Sequence, residues 1–152
     1  MAQDILLQFE KDFLEGDIEY LNGDLVREPG LKTAVMISLF TDRRAGANDV
    51  LDNPNDKRGW WGDLIPDSGD RIGSKLWQHE RSKVTQETIL GVKKAIEECL
   101  KWMVEDRVAK KIEVTVEKFG DVGNYRLGAT IKIYKSINGE EEIKFDDLWE
   151  AT

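Results

Sequence analysis

The chain carries one imidazole and one thiol, His79 and Cys99, so a nucleophile activated by a neutral base would have to be built on that single histidine. His79 stands in Trp77-Gln78-His79-Glu80-Arg81 with no second ligand or nucleophile at a useful spacing, which predicts a surface or partner-facing ring and not a catalytic base. No serine occupies a G-x-S-x-G setting. Ser68-Gly69-Asp70-Arg71-Ile72-Gly73-Ser74-Lys75 falls short of both nucleotide fingerprints. The acid-rich run from Asp49 to Asp56 is a poor calcium loop: counting from Asp52, the sixth place is Lys57 where glycine is needed, and the twelfth holds no glutamate. A single cysteine cannot form an internal disulfide or a cysteine-rich zinc site. Thirty acids offer many carboxylate pairs, but the separation of about 5 to 10 Å that glycoside hydrolysis needs is not written in a sequence. No catalytic, cofactor-binding or metal-ligating residue is assigned, and no cofactor is expected.

The charge pattern narrows the partners. The formal net charge is −8, from 22 Lys+Arg against 30 Asp+Glu. Residues 1–29 hold eight acids and two bases and residues 136–152 six acids and one base, so the ends are acidic and the middle slightly basic. Phosphate neutralisation needs a concentrated basic face, and the strongest cluster here is Lys110-Lys111, so nucleic acid is not an expected partner. No apolar run approaches the roughly 20 residues that span a bilayer, and the start lacks a basic stretch followed by an apolar one. Membrane attachment is not expected. A length of 152 residues with 40% hydrophobic content fits one domain over 1–152.

These groups are positioned by elements that the spacing predicts. Ile18, Tyr20 and Leu21 lead through Asn22-Gly23 to Leu25 and Val26, a small hairpin closed by Pro29-Gly30. The apolar run from Leu31 to Phe40 reads as a buried helix, with its β-branched content leaving a strand open. Two of the three prolines and Asn53-Pro54-Asn55-Asp56 make 45–70 a long surface loop, and such loops tend to be functional. Thr85 caps a long helix whose inner face is Ile89, Val92, Ile96, Cys99, Leu100 and Met103, with Glu97 placed to pair Lys101 on the wet side. From Lys111 the period becomes two: Ile112, Val114 and Val116, then Leu127, Ala129, Ile131 and Ile133, then a third strand around Ile143 and Phe145 reached through Asn138-Gly139. The fold class is α+β: an N-terminal hairpin and helices, a long loop, one long helix and a C-terminal antiparallel three-stranded meander.

Four words in order make the sequence specific: Leu39-Phe40-Thr41-Asp42-Arg43-Arg44-Ala45, Arg58-Gly59-Trp60-Trp61-Gly62-Asp63, Ile72-Gly73-Ser74-Lys75-Leu76-Trp77 and Thr85-Gln86-Glu87-Thr88. Together they closely resemble the Mu-like phage and prophage baseplate family, from about Asp4 to Trp149. More distantly the chain resembles the sheath-initiator family of contractile tails, with Glu105-Asp106-Arg107 where that family has Glu-Pro-Arg; Asp106 replaces the proline. The resemblance implies a structural role without turnover in the baseplate of a virion tail, assembled in the host bacterial cytoplasm. It implies contacts with baseplate wedge proteins, the tail sheath subunit and the adjoining tail tube. A terminal sheet would template the first sheath ring. A tail-associated peptidoglycan hydrolase, or muramidase, is the alternative, because distant relatives are described as lysozyme-like.

The resemblance and the residue chemistry together single out partner-binding candidates. Trp60 and Trp61 are either an anchor that pins the long loop to the core or an interface hot spot that Gly59 and Gly62 let project. Arg43, Arg44, Glu105 and Arg107 are either solvated surface charges or docking contacts. Glu140, Glu141 and Glu142, beside the third strand, would repel other copies and attract a basic partner. The isolated chain is therefore expected to be monomeric.

Overall fold

The apolar run without an obvious period is a helix. The computed structural model describes residues 4–10, 15–18, 20–25, 27–28, 30–64, 72–137 and 139–149, and in it α1 spans Lys32–Phe40. Val35, Met36 and Leu39 are buried on one side and Thr33 and Ser38 on its flanks. The two buried hydroxyls are satisfied, Thr33 Oγ1 donating to Ile5 O at 3.0 Å and Ser38 Oγ to Ala34 O at 2.8 Å, which lets a helix bury polar residues at low cost. Ahead of it lie three short antiparallel pairs: β1 (Asp4–Ile5) with β6 (Arg27–Glu28), β2 (Leu7–Glu10) with β3 (Glu15–Ile18), and β4 (Tyr20–Leu21) with β5 (Asp24–Leu25). Asn22 and Gly23 have φ of 54° and 85°, the double left-handed conformation that a two-residue hairpin needs. The expected hairpin is present, with one difference. Ile18 pairs back to Leu7 in a separate hairpin and does not belong to the strand entering the Asn-Gly turn. Val26 and Pro29 lie outside the described residues.

α2 spans Gln86–Glu105, and the Thr88 N–H donates to Thr85 Oγ1 at 3.2 Å, which makes Thr85 the cap. Val92, Ile96, Leu100 and Met103 are wholly buried, with Ala95 and Cys99 between them and Ile89 at the margin. Burial pushes the Cys99 thiol up to about 12, so this sulfur is an inert core filler. The wet side differs from expectation in its pairing. Lys93 meets Glu97, Lys94 meets Glu98 and Lys101 meets Glu105, so Glu97 reaches back to Lys93 and leaves Lys101 to the next turn.

The meander is β7 (Ala109–Phe119), β8 (Arg126–Lys135) and β9 (Glu140–Phe145), all antiparallel with β8 in the centre. β7 begins two residues before the expected Lys111, and its register slips between Ala109 and Lys111. That bulge reverses the side-chain alternation, so Ala109 is buried like Val114. Across the inner face run the rows Ile112, Ile133, Glu141, then Val114, Ile131, Ile143, then Val116, Ala129, Phe145. α2 and α1 pack over this face, and Leu148, whose N–H donates to Leu127 O at 2.8 Å, closes one end of the core. The architecture is α+β. Among the described residues no helix is long and apolar enough to cross a membrane.

Candidate partner-binding surface

The sequence words spread over residues 39–77 meet in one knot. Arg43 N–H donates to Ser74 O and Ser74 N–H to Thr41 O, both at 2.9 Å, which makes a parallel bridge between residues 42 and 74. Ser74 Oγ donates to Leu39 O at 2.5 Å and accepts from Leu76 N–H at 3.2 Å, so the end of α1 is tied to the turn that follows it. Gly73 has φ of 101°, and a Cβ there would run into the Thr41 carbonyl; only glycine permits that approach. Trp77 Nε1–H donates to Arg43 O at 2.9 Å. The first and third words are therefore halves of one piece of local structure.

The loop between them is gathered by two charged groups that sequence reasoning missed. Ala45 N–H donates to Lys57 O at 2.9 Å, which brings the ends of 45–57 together as an Ω-loop. Inside it, Asp49 accepts from Lys75 Nζ, from Gln78 Nε2 at 2.9 Å and from Gly46 N–H at 2.9 Å. Lys75 first, then the Gln78 hydrogen bond, hold its carboxyl down at about 2 against the opposing effect of burial. Arg58, with φ of 41°, reaches Asp42 at 3.1 Å, Asp56 at 3.5 Å and Glu80 at 3.6 Å and lies 4.8 Å over the Trp77 ring. A polar cleft of about 330 Å³ lies along this loop, lined by Val50, Asp56, Arg58, Trp77, Glu80 and Arg81 among others. Its central cation, Arg58, is already shared among Asp42, Asp56 and Glu80.

His79 leans on the long helix. Its ring lies against Gly91 of α2, where a Cβ would collide with it, and burial lowers its pKa. The side chain is half-buried against α2 and half at the surface. Position 91 in the helix had to be small for this contact.

The partner candidates divide by environment. Trp60 and Trp61 have ring centroids 5.4 Å apart, but Trp60 is folded over Gly62 and 37% exposed, whereas Trp61 is 72% exposed with Leu64 beyond it at 79%. Neither ring belongs to the buried core cluster. Arg43 is half-buried, with its carbonyl used by Trp77. Arg44 is exposed and donates to Arg58 O at 3.4 Å. Glu105 pairs with Lys101 at 2.8 Å and not with Arg107. Arg107 is exposed, in no ion pair among the described residues, and held at φ of 60° just past the helix end.

Glu140, Glu141 and Glu142 lie inside β9, not beside it as expected, and the alternation of a strand separates them. Glu140 and Glu142 face outward. Glu141 faces inward: its Oε1 accepts from Leu31 N–H at 2.9 Å and its Oε2 meets Lys135 Nζ at 2.6 Å. It places a negative charge at the start of α1, whose first turn has no acid of its own. Glu142 meets Lys144 at 3.0 Å and Lys132 at 3.9 Å.

A family model described as phage protein GP46 matches residues 31–141, from the start of α1 into β9. The chain is similar to the baseplate protein gp46 of Escherichia phage Mu, at 41% identity over 104 residues that cover 68% of this chain and 70% of the relative. It is also similar to the Mu-like prophage FluMu protein gp46 of Haemophilus influenzae, at 37% identity over 100 residues, 66% of this chain and 67% of that protein.

Proposed function

Because the chain belongs to the phage protein GP46 family, we propose that it is a structural component of a contractile-tail baseplate, docking on wedge proteins and templating the first sheath ring. The observation that carries this reading is the 41% identity to a protein named as a baseplate component, together with a knot in which the words bearing the likeness support one another and not a reaction centre. Residues 1–152 act as one unit of the virion tail, put together in the host cytoplasm, with the tail tube as a further neighbour. Wedge proteins meet Trp61, Arg44 and the end of α2 at Glu105 and Arg107. The sheath subunit meets the terminal sheet.

The protein is noncatalytic in this reading. A muramidase-like mechanism needs a carboxylic acid whose pKa is raised so that it keeps its proton. Among the described carboxylates, Asp49, Glu113 and Glu142 have clearly displaced pKa values, and all three are lowered by cationic or hydrogen-bonding neighbours. Direct readout comes from a phage or inducible prophage lacking this gene. Electron microscopy should show tubes without sheath or baseplates without a first sheath ring, restored by the wild-type chain. Normal contractile tails from the deletion would overturn the role, and release of soluble peptidoglycan fragments by the purified chain, abolished by one carboxylate substitution, would overturn the absence of catalysis.

A further inference from the structure

The long loop ends in an apolar pair that the fold holds outward. Trp61–Leu64 is a single 3-10 turn, in which side chains three residues apart stand one above the other on the same side. Trp61 and Leu64 are such a pair, 72% and 79% exposed. The turn is backed from within. Gly62 is buried with the Trp60 ring against it, where a Cβ would collide, and the Asp63 N–H donates to Trp60 O at 3.1 Å. A tryptophan and a leucine left in water on a braced turn add little to the stability of this chain by burial.

The approach to this pair is cationic on an acidic protein. Ala45 N–H donates to Lys57 O at 2.9 Å, and the Gly59 backbone, at φ of 118°, lies against the Arg44 side chain, where a Cβ would collide. Residues 44–45 and 57–59 therefore run side by side and bring Arg44 and Lys57 to the start of the turn. Both are exposed and in no ion pair among the described residues. The nearby acids are turned elsewhere: Asp42 and Asp56 meet Arg58, and both carboxylate oxygens of Asp63 are shielded from solvent. A chain of net charge −8 thus sets Arg44 and Lys57, uncompensated, beside an exposed apolar pair. Two cations are too few to hold a nucleic-acid backbone by phosphate neutralisation. They suit a few carboxylates around an apolar pocket.

We propose that Trp61 and Leu64 form a two-residue knob that enters an apolar pocket on another protein, a pocket rimmed by Asp and Glu side chains that pair with Arg44 and Lys57. The knob supplies the binding energy, because a tryptophan withdrawn from water at the centre of an interface is the commonest kind of hot spot. The cations supply orientation and rate of encounter, and reject basic surfaces. This rests on the reading of Trp61 and Arg44 as docking contacts of a baseplate component. It deepens that reading by giving the partner's surface a shape and a charge.

Site-specific photo-crosslinking with the full chain tests the proposal. A photoactivatable amino acid at position 61, in a chain expressed from the complemented deletion, should crosslink to another protein at apolar residues with Asp or Glu within a few positions. The double variant Trp61→Ala, Leu64→Ala should cut incorporation into particles by about tenfold or more while melting like the parent, since both side chains are exposed. Arg44→Glu with Lys57→Glu should weaken incorporation as well, and changing the mapped acids of the partner to lysine should restore it. A crosslink to a second copy of this chain, to a basic segment or to nucleic acid overturns the proposal. So does a double alanine variant that melts well below the parent, because the pair is then structural. If that variant is incorporated normally while the gene deletion yields sheathless tails, the knob falls and the baseplate role stands. If position 61 maps to an acid-rimmed pocket and the charge exchange restores binding while the deletion yields normal tails, the knob stands and the baseplate role falls.

Discussion

Arg107 occupies a place that chemistry reserves for glycine. A helix that ends in a left-handed residue usually has glycine there, and a side chain at φ of 60° carries a strain on the order of 1 kcal/mol. Arg107→Gly should therefore stabilise the fold by about 0.5 to 1 kcal/mol in urea titration while weakening capture of wedge proteins in a pull-down. A variant that is both more stable and fully competent in binding would remove Arg107 from the interface. Glu105→Ala, exposed and paired only across one helical turn, should leave the melting temperature nearly unchanged and weaken the same capture. Asp49 behaves oppositely. Its folded pKa of about 2 lies below the ordinary carboxylate value, so its stabilisation is complete above about pH 4 and is lost as pH falls toward 2. Asp49→Asn should cost about 1 to 2 kcal/mol at pH 7, the full linkage value discounted for solvent screening, and the gap to the parent should close in denaturant titrations below pH 3.

At the scale of elements, the knot between the end of α1 and residues 72–77 is where words far apart in the sequence meet. It contains a parallel bridge, a buried serine serving two partners and a glycine with no room for a Cβ. Gly73→Ala should lose at least about 2 kcal/mol, from the left-handed backbone and the clash with Thr41 O together, read as a lower midpoint in thermal melts. A loss under 1 kcal/mol would mean that the bridge gives way easily and does not hold the loop. The meander and α2 were legible because a period of two or of three to four residues survives wherever one face is buried and the other wet. α1 was ambiguous for the opposite reason: with apolar residues on nearly every side, only its neighbours reveal which face is inside. The N-terminal pairs β1–β6 and β2–β3 escaped notice because strands of two to four residues are too short for an alternation such as Leu7-Gln8-Phe9-Glu10 to stand out.

For the molecule as a whole, the distribution of acids decides how copies treat one another. Glu140 and Glu142 project from an open edge, while Glu141 points into the fold and is used there by Leu31 and Lys135. Sedimentation at low salt should find a monomer, and a concentration-dependent dimer would show that the acids do not protect the edge. Glu141→Lys should destabilise the fold, because it sets a cation beside Lys135 and leaves the Leu31 N–H without its acceptor. Replacing all three glutamates at once would therefore mix a folding defect with a binding one. Composition, periodicity and turn residues by themselves determined the α+β class, the capped helix, the buried thiol and the meander, because each depends on neighbours within a few positions along the chain. The sequence words also carried the family. What only the tertiary structure decided was which charges are spent inside the fold. Glu141 and Leu31 are 110 residues apart, Asp49 and Lys75 are 26 apart, and no local pattern encodes a contact that exists only after the chain has closed on itself.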